Sequence, residues 1–352
     1  MSKTNFFNFV TLFAFAMAFS FSTTFASEPV RIIFDTDLGN DVDDPMALAV
    51  AHSLQSRGEL RILAVTSTKS NKYVAPVVGI INTFYGRPDI PVGITNSGIT
   101  PEDGRYIKQL VEAKDAAGKP LFPSNITTDT QLPDAVTLIR KTLAAVDNKS
   151  VVFVQIGFFT NLARLFETKG DDISPLSGLE LFRKKVRYVS LMAGGFGLGH
   201  EKSKEYNVVS DLEAAKKVVA ACPVEMVFSG FEIGAIVDYT VESINNDYEY
   251  VVPHPIKIAY KHYRGLDKRQ ATFDINAVIY AARPSRGYYS LSEKGTVTIT
   301  DEGVSTFTPN PDGKHRYQKT NIQQIAATRE AIIQLTSQPP AVNADGKAIF
   351  FP

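Results

Sequence analysis

The chain has 352 residues, 44% of them hydrophobic and 21% charged, an ordinary globular composition. Its 37 Lys+Arg and 37 Asp+Glu balance to a formal net charge of zero. That excludes a highly charged disordered chain and argues against a bulk electrostatic grip on nucleic acid or an anionic membrane. The single cysteine, Cys222, leaves no intrachain disulfide and no Cys-rich zinc module.

Residues 1–26 place one lysine ahead of a Phe-rich apolar run, with Thr24 and Ala26 at the usual cleavage offsets. This pattern predicts a secretory signal peptide. An uncleaved anchor is the competing reading, but Phe6–Phe21 is short of the roughly 20 residues a span needs. The mature chain is then 27–352, secreted or periplasmic, with no membrane association after cleavage. No cysteine near the cleavage site offers a lipid anchor. Asn125-Ile126-Thr127 and Asn148-Lys149-Ser150 match the glycosylation pattern, which matters only in a eukaryotic host.

Apolar runs then alternate with helical periodicities. Val30–Phe34 reads as a buried strand, and Pro45 opens a helix to about Gln55. Leu60–Thr66 is a second strand, and Val74–Tyr85 a helix stopped by Gly86. Ala135–Ala145 is a helix capped by Asp134. Val151–Val154 is a strand, followed by a helix from Asn161 capped by Thr160. Val186–Met192 is a strand ending at Gly194-Gly195, Asp211 caps a helix through Ala221, and Val224–Phe228 is a further strand. Beyond Tyr239 come helical fragments over 240–270, a helix Asp274–Ala282, short strands including Thr296–Ile299, and a closing helix Ile322–Leu335. The order predicts a single α/β domain with a mainly parallel, Rossmann-like central sheet and helices on both faces. There is no linker or internal repeat.

The segment Asp35-Thr36-Asp37-Leu38-Gly39-Asn40-Asp41-Val42-Asp43-Asp44-Pro45 puts five aspartates directly between a buried strand and an apolar helix. In an open α/β sheet that is the carboxyl end of a strand, where ligands bind. Carboxylates this close repel unless a cation joins them, and Ca²⁺ takes 6–8 oxygen ligands at roughly 2.3–2.6 Å. A solvated acidic loop with a helix cap is the plain alternative. An EF-hand is excluded, since a strand precedes the cluster and Met46 stands at position 12. An Asp-x-Asp phosphatase nucleophile at Asp35/Asp37 leaves Asp43-Asp44 unexplained.

With these residues in view, the chain resembles the inosine-uridine-preferring nucleoside hydrolases. Their N-terminal signature is a strand followed by Asp-x-Asp-Pro-Gly-x-Asp-Asp-Ala. Here Leu38 replaces the usual proline, and two extra residues precede the Asp pair. Asp43-Asp44 is the best match, with Asp41 a competitor. The resemblance continues in order through Ala64–Asn71, through Gly157-Phe158-Phe159-Thr160-Asn161, and through Met192-Ala193-Gly194-Gly195. It then runs on through Glu205-Tyr206-Asn207, through Asp211-Leu212-Glu213-Ala214-Ala215, and through Phe273-Asp274-Ile275-Asn276-Ala277-Val278.

The resemblance implies hydrolysis of the N-glycosidic bond of a nucleoside or related N-riboside. It implies Ca²⁺ held by Asp37, Asp44, Asp274 and the carbonyl of Ile156, with Asp37 also accepting a proton from a metal-bound water. Asp43, Asn71, Glu205 and Asn207 would hold ribose hydroxyls. Such chemistry is sound: a cation and a neighbouring carboxylate make water a nucleophile, and carboxylates stabilise an oxocarbenium-like transition state. The family also implies a homo-oligomer. Each residue has a plainer reading too: Asp274 and Asp211 suit helix caps, and Glu205 and Asn207 suit a surface loop.

Two departures fall on the leaving-group side. Phe273 stands where the well-studied branch has the histidine that helps protonate the base, and phenylalanine transfers no proton. The ribose-binding asparagine expected about six residues before Glu205 is replaced by Gly199 or His200. His200, His254, Tyr260, His262, Tyr263 and Arg264 are the candidate neighbours of the base. Besides a nucleoside hydrolase, a hydrolase of a different N-riboside or glycoside and a non-catalytic Ca²⁺-dependent sugar or nucleoside binder are therefore open readings.

Overall fold

The computed structural model describes residues 28–341; the expected signal peptide lies outside them. Among the described residues no helix is long and apolar enough to cross a membrane.

The chain up to Ser229 lays down six parallel strands: β1 (Val30–Thr36), β2 (Leu60–Ser67), β3 (Val92–Ile94), β4 (Val151–Gln155), β5 (Val186–Met192) and β6 (Glu225–Ser229). Two short strands, β7 (Asp238–Tyr239) and β8 (Gln270–Ala271), form a separate ribbon. The last four are β9 (Ser290–Leu291), β10 (Gly295–Ile299), β11 (Ser305–Pro309) and β12 (His315–Lys319). The main sheet runs β11-β10-β12-β6-β5-β4-β1-β2-β3, with β9 on β12. β12 joins β6 in parallel, while β10 is antiparallel to both β11 and β12.

The chain builds outward from β1 through β2 to β3, then crosses back to place β4 on the other side of β1. The order reverses between β1 and β4, and the crevice beyond the carboxyl ends of two such strands is where this architecture binds ligands. Asp35 pairs with Gln155 in register across that gap.

Side-chain alternation along β1 fills two cores. Ile32 and Phe34 join one apolar cluster with Met46, Val50, Ile275 and Ile279. Ile33 joins the other with Leu143, Leu162, Leu181 and Val218. The helix Asp43–Ser56 is buried along its whole length to Leu54. This is the behaviour of a helix apolar on every side. It packs on β2 beside the helix Phe273–Ala282, which itself lies on β4, β5 and β6, and it also touches the helix Ile322–Thr336.

Local chemistry agrees with two of the four predicted N-caps. Asp134 accepts the Val136 amide at 3.0 Å, and Asp211 the Ala214 amide at 3.4 Å. Two caps differ. The helix expected from Asn161 begins at Thr160, after Phe159, without a side-chain cap; Thr160 Oγ1 instead donates to Asp211 at 2.5 Å. Asp274 does not cap its helix; Thr272 precedes the first helical residue, Phe273, which places Asp274 inside the first turn.

Candidate active site

The carboxyl ends of β1 and β4 are sewn together before any acidic group is placed. Ile156 N–H donates to the Asp35 carbonyl at 2.8 Å. The Asp35 side chain is wholly buried and accepts from Thr66 Oγ1 at 2.6 Å and Asn161 Nδ2 at 2.8 Å. Asp35 therefore anchors the strand end, and the reactive surface begins at Asp37.

Beyond Thr36 the chain turns through Leu38–Val42 into the helix Asp43–Ser56. Thr36 Oγ1 donates to Asp44, and Asn40 Nδ2 donates to Asp37 Oδ2 at 2.6 Å. Asp41 Oδ1 accepts the Asp43 amide at 2.9 Å. Asp43 Oδ2 accepts the Asp274 amide at 2.7 Å, which ties the starts of two helices together. Both helix N-termini point their partial positive charge at the cluster, favouring anionic groups there.

A cavity of about 380 Å³ opens over this cluster, within the usual size of a small-molecule site. Asp37, Asp41, Asp44, Asp274, Glu205 and Asn207 form its polar floor. Met192, Tyr206, Phe231, Tyr263 and Phe273 form an apolar wall, and Asn40, Glu102, Gly104 and Arg105 close the remaining side. Phe231 and Phe273 stack with centroids 4.9 Å apart. The Arg105 guanidinium lies 5.4 Å from the centre of the Tyr263 ring.

Burial dominates the electrostatics. It pushes the Asp37 carboxyl up to about 7, with Asp41 adding repulsion and the Asn40 hydrogen bond opposing. Asp43, Asp44 and Asp274 are raised well above the usual carboxylate range, first by burial and then by repulsion from neighbouring aspartates: chiefly Asp41 for Asp43, Asp37 for Asp44 and Asp43 for Asp274. Glu205 rises to about 7 for the same first reason, although it accepts amides from Asn207 (2.9 Å), Gly194 (3.1 Å) and Val208 (3.3 Å). A multiply charged cation reverses this logic and lets the carboxylates ionise together. The donor set fits one. Asp41, Asp43 and Asp274 bring carboxylate oxygens within 4.8 Å of one another. Asp43 Oδ1 is buried without a hydrogen-bond partner among the described residues.

The structure thus gathers Asp37, Asp44, Asp274, Glu205 and Asn207 around one cavity and sets three expected residues, Asn71, Asp43 and Ile156, off its lining. Asn71 does not reach the cavity: its Nδ2 donates to the Pro101 carbonyl at 2.7 Å and to Asp103 at 3.0 Å, fastening the wall loop from behind. Asp43 is buried off the cavity lining, its carboxylate turned to the Asp274 amide, and the half-buried Asp41 lines the cavity with Asp37. The two residues inserted before the Asp pair create this choice. Ile156 is buried beneath the wall, and its carbonyl accepts from Asn207 Nδ2 at 3.1 Å.

Of the candidates for the base side, Tyr263 alone lines the cavity. His254 is a buried helix cap held by Ile256 N–H and Tyr250. Tyr260 donates to the Lys268 carbonyl, and the His200 ring packs tilted against Phe231 with centroids 4.7 Å apart. Sequence reasoning missed Asn40, Glu102, Arg105, Tyr206 and Phe231. Tyr206 lay inside a quoted motif, but Glu102 and Arg105 sit in a loop with no pattern of its own.

A ring of buried carboxylates facing an aromatic wall, at the switch point of a parallel sheet, defines an α/β enzyme for a small polar molecule that carries a flat ring. Residues 32–331 match the family model described as inosine-uridine preferring nucleoside hydrolase, and the chain belongs to that family of metal-dependent N-glycosyl hydrolases acting on nucleosides. Solved structures agree on the fold. A plant nucleoside hydrolase, PpNRh1, is 20% identical with a TM-score of 0.62, covering 88% of this chain and 100% of its own. An inosine-guanosine nucleoside hydrolase is 17% identical with a TM-score of 0.65, covering 87% and 98%. A purine-preferring ribonucleoside hydrolase from Gardnerella vaginalis is 15% identical with a TM-score of 0.63, covering 88% and 99%. Comparison with curated proteins returns no match.

Proposed function

We propose that this protein cleaves the N-glycosidic bond of ribonucleosides by Ca²⁺-assisted attack of water, releasing free base and ribose. The observation that carries the reading is the cavity itself, in which Asp37, Asp41, Asp44 and Asp274 face the Phe231–Phe273 stack. Asp37, Asp44 and Asp274, with the Ile156 carbonyl and the neighbouring Asp41 and Asp43, would hold the cation. Bound there, Ca²⁺ would supply ribose-hydroxyl binding and acidify a water.

The chain's own residues divide the remaining work. Asp37 is the base that takes the water's proton, and the Asn40 amide fixes its orientation. Glu205 and Asn207 would hold ribose hydroxyls. A site that demands those contacts rejects deoxyribose, because a missing hydroxyl leaves buried polar groups unpaired. The carboxylates stabilise the positive charge that develops on the sugar ring. Phe231, Phe273 and Tyr263 offer flat faces to the base and exclude water from it. We also propose export through residues 1–26, checked by N-terminal sequencing of the secreted protein.

Phe273 favours one second reading, an N-riboside whose leaving group needs no proton from that position. Reducing-sugar release separates the two, using residues 27–352 with Ca²⁺ and a panel of ribonucleosides, nicotinamide riboside and 4-nitrophenyl riboside. Turnover of a natural nucleoside, lost in Asp37→Ala, supports the first. Turnover of activated or non-standard ribosides only supports the second. Saturable ligand binding with no turnover of any of them would sink both and leave a binding protein.

A further inference from the structure

Lys69 follows β2 and has no part in the chemistry described so far. Its side chain is 0% exposed, and its ammonium sits beneath the acidic loop. The three N–H bonds of a lysine ammonium all find acceptors here: Asn40 Oδ1 at 2.9 Å, the Thr100 carbonyl at 2.6 Å and Glu102 Oε1 at 3.4 Å. Burying a charge is costly unless it is paired and fully hydrogen-bonded, so a lysine so placed has been fitted to this junction. Asn40 passes the contact on, since its other amide atom, Nδ2, donates to Asp37 Oδ2 at 2.6 Å.

The two loops that share Lys69 also touch directly. Gly39 has φ +120°, and a Cβ there would lie 3.1 Å from Lys69 Cδ and 2.9 Å from Ile107 Cδ1. A Cβ on Gly104 would lie 2.1 Å from the Gly39 carbonyl oxygen. The loop that brings Glu102, Gly104 and Arg105 to the cavity is therefore seated on the loop that carries Asp37 and Asp41, with the lysine stem between them.

We propose that Lys69 is a positioning residue for the hydrolysis. Through Asn40 it fixes the Asp37 carboxylate, and through Thr100 and Glu102 it clamps the cavity-wall loop to the same point, so that base and wall are set together. The catalytic half of this inference rests on the hydrolase reading, whereas the clamp does not.

Two readouts test it. In steady-state kinetics, Lys69→Met and Asn40→Ala each lower kcat by about tenfold to a hundredfold, the scale on which small misplacements act. The loss is the same for a natural nucleoside and for 4-nitrophenyl riboside, because Asp37 serves both. The double variant is no worse than the poorer single one, since both act along one chain of contacts. Additive losses, or a loss confined to KM, would overturn the relay. Asn40 is half-buried on a loop, so Asn40→Ala tests the link to Asp37 even if Lys69→Met does not fold; an unchanged kcat there also overturns it. In the second readout, trypsin cleaves after Arg105 several-fold faster in Lys69→Met than in the unaltered protein, and at nearly the unaltered rate in Asn40→Ala, which keeps the clamp. Equal cleavage in all three overturns the clamp. If the unaltered protein turns over no riboside, the hydrolase reading and the relay fall, while the clamp still stands or falls on the proteolysis.

Discussion

Phe273 occupies the place from which the first-turn helix residue could reach a departing base. It lines the cavity and stacks on Phe231, and it has no proton to give. The wall around it offers Tyr206, Tyr263 and Arg105 as polar groups. The Tyr263 hydroxyl keeps its proton, since burial and then Asp41 push its pKa well above the usual phenol range. It can therefore donate a hydrogen bond but is a poor general acid. Phe273→His puts an imidazole within the volume of the existing ring. We expect kcat for natural nucleosides to rise by about a hundredfold, the low end of general acid catalysis. Turnover of 4-nitrophenyl riboside should stay unchanged, because that leaving group needs no proton. Equal changes for both substrates would mean that the substitution acts on the ribose side instead.

At the scale of elements, the meeting of β1, β2 and β4 sets the catalytic loop. Thr68, just past β2, donates its amide to the Thr36 carbonyl at 2.8 Å and accepts the Phe158 amide on Oγ1 at 3.1 Å. Gly157 lies in the centre of this knot: a Cβ there would stand 2.5 Å from Thr68 Oγ1 and 2.6 Å from the Asp37 amide nitrogen. Gly157→Ala should therefore shift Asp37 and lower kcat by at least about tenfold, while overpacking costs about 1–3 kcal/mol in urea unfolding. Stability loss with unaltered kcat would show that the knot supports the fold alone. Elsewhere an element can be weakened without touching the site. Ser177 and Glu180 form a reciprocal capping box at the helix Gly178–Lys185. Ser177→Ala should cost about 1 kcal/mol with no change in kcat.

Legibility also divides by element. The buried parallel strands were readable because each is dominated by apolar, largely β-branched residues, and Val186–Met192 matches its predicted bounds. The helix Gly178–Lys185 was missed although its Ser-x-x-Glu box is a sequence signal. β3, the helices Ile107–Glu112 and Phe231–Ile236, and the β7–β8 ribbon are too short for periodicity to speak and are held by tertiary contacts. The acidic half of the site was legible because charge between two apolar segments is unusual. The wall loop was not, since Glu102 and Arg105 gain their meaning from Lys69 and Asn71, about thirty residues upstream.

For the whole molecule, stability against pH carries two opposed contributions. Burial lowers His52 and His254 from 6.5 to about 3, and His315 to about 4. The unfolded chain takes up protons that the folded one refuses, so this stability is present above 6.5 and is lost as pH falls toward 3. The slope is about 1.4 kcal/mol per pH unit for each histidine. His52→Gln should flatten that slope in urea unfolding whatever it does to stability at neutral pH. The buried carboxyls act the other way. Asp35, Asp37, Glu205 and Glu232 are raised to about 7, chiefly by burial. Without a cation the folded protein binds more protons than the unfolded one, so their stability is present below about 4 and is lost as pH rises to 7. A bound cation replaces those protons at Asp37 and its neighbours and removes that loss. Chelation should therefore lower the Tm far more at pH 8 than at pH 5, where protons already neutralise the cluster. At a hundredfold excess of free Ca²⁺ over its Kd, the stabilisation at pH 8 would be about 2.7 kcal/mol. An equal drop at both pH values would mean that the cation binds away from these carboxylates, and no drop at either would remove the cation from the account of this cavity.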